Sequence, residues 1–483
     1  GNRKPETGNR KPETGNRKPE TGNRKPETGN RKPAFGLSGE WLVHDGKVIP
    51  SVIALSHDEQ LARLREDCPE ALPAAIVVGD PVADQLVAAA PFRETYRTAL
   101  GLLPGQRLLV VSSTWGTEST LGAPDSGLLR RIFSELPADE WKVLVALHPN
   151  AWFGHSPWQW ENWLGPYLDS GLILPAPETE VWKAALCAAD AVIGDHGSLT
   201  MYAVHLGIPT LLGAFADAKV AAPSPMERLG EALPRVSASR PLRAQLETVA
   251  AEQPGDADIA ALGRTVTSRP GEAAALLRRL FYARMELPEP ACPATTRAVP
   301  VPSGVRADRQ LPYVLPAFVT VETVTPGRDA SPSQPEVLLR RYPAALQHGT
   351  PHHLAGAHLC ADPDMPDVRW PRAADVLLVP LGRFPSPGAG DPAPLAYADL
   401  AGRFPGCLMV AVEEPGHGCL LLLPDGRRLR ARWRDRPQWA DFAAAASAVH
   451  GCAAEGSAAM PAPAIRVRAG GSLPGGLLDI AVV

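Results

Sequence analysis

Long apolar runs are missing from this chain: nowhere do about 18 apolar residues follow one another, the length a membrane-spanning helix needs. No charged segment followed by an apolar stretch opens it, so no secretory leader is read. Cysteine is sparse and scattered: Cys68, Cys187, Cys292, Cys360, Cys407, Cys419 and Cys452 include no C-x-x-C pair. That spacing argues against a zinc knuckle or a disulfide framework and fits reduced thiols in a cytoplasmic protein. Contact with a membrane surface, from the inner face, stays open. Lysine is nearly confined to the first 33 residues; only Lys47, Lys142, Lys183 and Lys219 lie beyond them. Those 33 residues carry ten Lys/Arg and four Glu, a charge of +6, which leaves 38 basic and 48 acidic residues, or −10, in the rest. An acidic body speaks against a nucleic-acid partner, because phosphate binding needs a cationic face.

Residues 1–33 are four copies of GNRKPET and a partial fifth. The repeat has no apolar residue, so stacking copies would bury nothing, and it reads as a disordered arm. Globular patterning starts near Ser51. A strand over 51–56, a helix over 57–67, a strand over 74–81 closed by a Gly-Asp-Pro turn, and a helix over 91–102 follow from periodicity. A regular alternation succeeds them, with strands over 107–113, 141–147, 171–175, 190–195 and 208–213. Helices are expected over 126–136, 157–168, 179–189 and 198–207, with others near 225–233, 239–252 and 271–286. Strands alternating with helices predict an α/β fold with a Rossmann-type parallel sheet covered on both faces.

Ten of the 48 residues in 288–335 are proline, which predicts an extended linker. Beyond it a small α+β domain is expected over 336–483. Its strands would be 374–381 and 406–414, with a hairpin over 418–433 turning at Asp425-Gly426, then a helix over 435–450 and a strand near 464–468. The ending reads as a Gly-rich tail. The histidine-dense tract holding His348, His352, His353 and His358 lacks matched carboxylates and reads as a solvated loop. No metal-ligand spacing, cofactor motif or G-x-S-x-G elbow occurs.

In a parallel α/β sheet the ligand lies beyond the carboxyl ends of the strands. After the strand over 107–113 comes a loop rich in hydroxyls, where Ser112, Ser113 and Thr114 suit phosphate oxygens. After 141–147 comes His148, placed to donate to a phosphoryl oxygen or to act as a general acid; Pro149 is expected to block an immediate helix. After 190–195 come Asp195, Gly197 and Ser198, which open a helix and fit a diphosphate or a ribose at its N-terminus, although Asp195 equally suits a helix N-cap. Trp152, Trp158, Trp160 and Trp163 would either stack on a base, form an acceptor wall, or pack their helix on the sheet.

These three strand ends carry a resemblance. Ser113-Thr114-Trp115-Gly116, Leu147-His148-Pro149 and Asp195-His196-Gly197-Ser198 resemble, in order, the Pro-Thr-Trp-Arg, Leu-His-Pro and Asp-Tyr-Ser-Ser motifs of the CDP-glycerol glycerophosphotransferase (teichoic-acid polymerase-like) family. They correspond to the C-terminal half of its GT-B fold. The chain is more distantly similar to UDP-GlcNAc 2-epimerases. The resemblance covers roughly 74–285. It implies a nucleotide-diphosphate donor, CDP-glycerol or a nucleotide sugar, and transfer of a glycerophosphoryl or glycosyl group to an acceptor hydroxyl. His148 would face the donor diphosphate, and Asp195 with Ser198 would help hold its phosphates. Residues 34–100 would be a remnant of the N-terminal half, 101–287 the nucleotide-binding domain. Among its departures from the family, Gly116 stands where the family has arginine, and His348-Gly349-Thr350-Pro351 matches the family's catalytic-base motif only out of order, so it is set down to coincidence. The transferase is expected in full or truncated form, and a catalytically silent nucleotide-binding or protein-interaction module is the alternative expectation.

Overall fold

Two apolar strands separated by a helix of nine residues form the first unit of the structure, a computed structural model that describes residues 36–122, 127–305, 311–324, 335–347, 352–383, 399–454 and 462–483. The GNRKPET repeats and the 348–351 motif lie outside these residues. A two-residue hairpin, β1 (Val43–His44) and β2 (Lys47–Val48), leads into β3 (Ile53–Leu55), a helix over Glu59–Asp67 and β4 (Ala75–Val77). β3 and β4 pair in parallel. The Gly-Asp-Pro turn is more than a turn. The Asp80 carboxylate accepts from the backbone N–H of Val82 and Ala83, and Pro81 takes the first position of a helix over Pro81–Ala89, the arrangement an N-cap and an N1 proline favour. A helix over Arg93–Ala99 follows, stopped beside Gly101 at φ 72°.

The main sheet holds β5 (Arg107–Ser113), β6 (Trp141–Leu147), β7 (Ala191–Gly194) and β8 (Thr210–Leu212), all parallel, in the spatial order β6-β5-β7-β8. Ile173 bridges to Leu144 outside β6 and Arg235 bridges to Leu212 outside β8. The expected strand over 171–175 is thus a single bridge. The full order reads third, second, first, fourth, fifth, sixth, which is the doubly wound arrangement whose order reverses between β5 and β7. Runs such as Leu108–Val111 are fully buried because helices cover both faces. Pro149 does not block a helix. It begins one, Pro149–His155, from the N1 position, and the segment expected as one helix over 157–168 divides into Pro157–Trp163 and Gly165–Asp169.

The C-terminal third differs most from expectation. Nine strands close into a barrel: β9 (Ala317–Val324), β10 (Glu336–Pro343), β11 (His358–Ala361), β12 (Val376–Val379), β13 (Met409–Glu414), β14 (Gly418–Leu422), β15 (Arg428–Asp435), β16 (Ala464–Ala469) and β17 (Gly476–Val482), in the order β10-β16-β17-β15-β14-β13-β12-β11-β9. The region is α+β as expected, but the proline-rich stretch supplies β9 and the glycine-rich tail supplies β17. β10 alternates, with Val337 and Leu339 facing inward and fully buried. The expected hairpin is present, turning at Asp425-Gly426 with Gly426 at φ 82°.

A helix over Phe442–Ala454 touches β9, β10, β12, β13, β14 and β15, strands on every side of the closed sheet, and so fills the lumen. Its sequence explains the fit. Ala444, Ala445, Ala446 and Ala448 have no exposed surface, and only small side chains let a helix backbone lie this near the strands around it. At Gly451 a Cβ would stand 2.5 Å from Cβ of Val321.

Charge joins the two large units. Arg341 of β10 donates to Asp139 at 2.6 Å and to Asp441 at 2.6 Å. Glu140, almost wholly buried, accepts from Arg107, Arg243 and Arg340; against its desolvation, the guanidiniums of Arg243 and Arg340 hold its carboxyl below the usual range. This junction lies at the amino ends of β5 and β6, opposite the edge where the site lies.

Candidate functional site

The reversal between β5 and β7 leaves a crevice at their carboxyl ends, and the loops that border it are tied together by one carboxylate. Asp195 follows β7 and has no exposed surface. Its Oδ2 accepts from the N–H of Thr114 at 2.8 Å and of Thr120 at 3.0 Å, and its Oδ1 accepts from the N–H of Gly197 at 3.0 Å. Thr114 and Thr120 bracket the loop after β5, while Gly197 precedes the helix over Ser198–His205. Asp195 therefore sits beneath the crevice as its fastener and turns no oxygen toward a ligand. Gly197 is needed because a Cβ there would come within 3.0 Å of Asp195 Oδ1 and 3.4 Å of Thr114 Cβ.

The other expected residues divide in the same way. Ser112 is buried inside β5. Ser113 Oγ accepts from the N–H of Leu121 at 3.0 Å and donates to the carbonyl of Thr114 at 3.2 Å, so it shapes the loop from within. Thr114, largely buried, borders the crevice, and Ser198 is exposed at the first position of its helix, where backbone N–H groups have no intrahelical acceptor.

His148 closes the end of β6, its N–H donating to the carbonyl of Ser113 at 2.9 Å. Its Nδ1 accepts from the N–H of Asn150 at 3.1 Å, capping the helix over Pro149–His155. The neutral ring consequently carries its proton on Nε2. Burial holds its pKa below the usual histidine value, against the opposing charge of Asp195, so at neutral pH the ring offers a hydrogen bond rather than a transferable proton. The indole of Trp115 lies 4.4 Å from it, centroid to centroid.

Two features had no signal in the sequence. Lys219 reaches back from beyond β8 and pairs with Glu118 of the β5 loop. Beside the crevice, a cavity of about 880 Å³ runs from Ser113 and Thr114 over the end of β6 to Ala345 and Leu346 of the barrel. The tryptophans split between the offered roles: Trp152 and Trp160 are buried in the sheet's core, whereas Trp158 and Trp163 are 74% and 50% exposed. His358, expected in a solvated loop, is instead a buried strand residue of the barrel, 4.4 Å from the ring of His450. Among the described residues no group of three His, Cys, Asp or Glu side chains is arranged to hold a metal ion, and no helix is long and apolar enough to cross a membrane.

Neither a protein-family model nor a curated protein matches the chain. Solved structures do. The wall teichoic acid polymerase TagF aligns at 16% identity and a TM-score of 0.36, over 49% of this chain and 58% of its own. WaaG, a glycosyltransferase involved in lipopolysaccharide biosynthesis, aligns at 14% and 0.29, over 52% and 68%. The UDP complex of MnaA from S. aureus aligns at 12% and 0.31, over 52% and 64%. The chain thus spans less than two thirds of the polymerase's length. A teichoic acid polymerase, of the kind named from three short motifs, is thus among the solved structures that align, and similarity of this extent assigns neither donor nor reaction.

Proposed function

We propose that this chain is a GT-B-like transferase that holds a nucleotide-diphosphate donor, CDP-glycerol or a nucleotide sugar, in the crevice between β5 and β7. The observation that carries the reading is the convergence there of the 114–120 loop and the Ser198 helix N-terminus, fastened by Asp195, with a neutral His148 alongside. Preorganised donors of this kind stabilise the charge that grows on a departing phosphate. The acceptor oxygen forms its bond to phosphorus or to the anomeric carbon as the bond to the leaving nucleotide breaks, and the hydroxyl proton passes to solvent. His148 Nε2–H and the helix N–H groups take up the negative charge left on that nucleotide. Thr114 and Ser198 add hydroxyls, and Ser113 and Asp195 act through the loop they position. The scattered reduced cysteines suit a cytoplasmic enzyme working with a soluble donor.

Thermal unfolding against CDP-glycerol, CDP, UDP-GlcNAc, UDP and GDP-sugars tests this. A ligand at 100 times its Kd adds about 2.7 kcal/mol, and a shift confined to one nucleotide family is expected. With the donor so named, His148→Ala should abolish turnover while the fold persists. No shift with any nucleotide in a folded sample would overturn the proposal. A second reading, a catalytically silent nucleotide-binding or interaction module, is favoured by Gly116, which puts no guanidinium in the β5 loop. Nucleotide binding without turnover would select it.

A further inference from the structure

Three observations bear on what the cavity beside the crevice takes. It is continuous with the donor loop, since Ser113, Thr114 and Thr117 line its near end. Its middle is aromatic and held stiffly. Trp160 donates from Nε1 to the carbonyl of Ala151 at 3.0 Å and meets Trp163 edge-on, at 5.4 Å and 88°. His155 stands edge-on to both, at 5.6 and 5.1 Å, and Tyr167 completes the wall. Its far end is closed by the barrel, through the turn after β10 that contains Ala345 and Leu346. The cavity is therefore walled by two units.

We infer that this cavity is the acceptor subsite and that its ligand is a saccharide. Two-substrate transfer requires the second substrate within reach of the reacting atom of the first, and this recess shares the donor loop. A sugar ring has apolar C–H faces and a polar rim. The half-exposed indole of Trp163 offers a flat surface for the face, while Asn150 and Thr117 offer partners for the rim. An apolar chain would leave those polar groups unmatched. The barrel, on this view, supplies the wall that a second α/β half supplies in a two-domain transferase. The word acceptor rests on the transferase reading; saccharide binding does not.

The test is intrinsic tryptophan fluorescence of the full chain titrated with cellobiose, chitobiose and mannobiose. A saturable change is expected with at least one of them. It should weaken at least tenfold in Trp163→Ala and in Ala345→Trp, which fills the cavity from the exposed barrel side, and recover in Trp163→Phe. Circular dichroism and Tm report folding, and nucleotide shifts should be unaltered in every variant. No saturable change with any of the three sugars, or a change that both variants leave intact, overturns the inference. Loss of nucleotide binding in Trp163→Ala and Ala345→Trp would make the cavity a base pocket and overturn it while keeping the donor reading. Saccharide binding in a chain that binds no nucleotide would keep the site and remove the transferase.

Discussion

Replacing Asp195 by alanine separates a fastener from a ligand contact. Three backbone N–H groups, those of Thr114, Thr120 and Gly197, give their hydrogen bonds to this one carboxylate at 2.8 to 3.0 Å, in a place with no solvent exposure. Hydrogen bonds to a charged group contribute about 1.5–3 kcal/mol each, and a buried donor left without a partner costs about 1–3 kcal/mol. Water entering the vacated space would restore part of this, so a loss of about 3 kcal/mol is the lower bound of the expected range. For a unit of 150–250 residues that lowers Tm by roughly 6–12 °C. Asp195→Asn should fall between, because its amide oxygen can still accept while its NH2 faces a donor. Calorimetry gives the size of the effect, and hydrogen exchange at the Thr114, Thr120 and Gly197 amides gives its location. Asp195→Ala stable to within 1 kcal/mol of the parent, with those amides still protected, would refute the reasoning. If nucleotide affinity alone fell, Asp195 would be a direct contact after all.

Other consequences lie in the barrel and its junction. His358 is buried against His450, and desolvation together with that neighbour lowers its pKa to about 3; its unfolded value is near 6.5. A depressed histidine keeps its full contribution above the unfolded value and loses it as pH falls toward the folded one. From pH 7 to pH 5 this residue alone should cost about 2 kcal/mol, and urea titrations of His358→Phe should show a smaller pH dependence than the parent. An equal dependence would exclude it. Arg341→Ala leaves Asp139 buried without its cation, at about 3–5 kcal/mol; the double replacement Arg341→Met with Asp139→Asn should recover part of that in chemical unfolding. Gly451→Ala drives a methyl into Val321 and should cost about 1–3 kcal/mol, which a fall in the barrel's unfolding midpoint would reveal.

How much of this was legible follows from how local each signal is. Alternating apolar strands and helical stretches between Arg107 and Leu212 repeat every few dozen residues, so the parallel sheet could be read directly, and with it the strand ends that bring Thr114, His148 and Ser198 to one edge. The barrel could not. β9 lies among prolines, β10 has paired leucines and arginines that suit either period, and β17 is opened by glycines. Each becomes a strand only through partners far away in sequence, such as Leu339 with Val321 and Ala469. The alanines of 443–448 read as an ordinary helix, and nothing local announces that a closed sheet surrounds them. Side-chain roles were divided along the same line. Residue type brought Asp195 to the site, but only the folded chain directs its oxygens downward onto three amides and leaves His148 Nε2 as the outward donor. Periodicity is a property of neighbours along the chain, whereas orientation and closure depend on which distant groups satisfy one another.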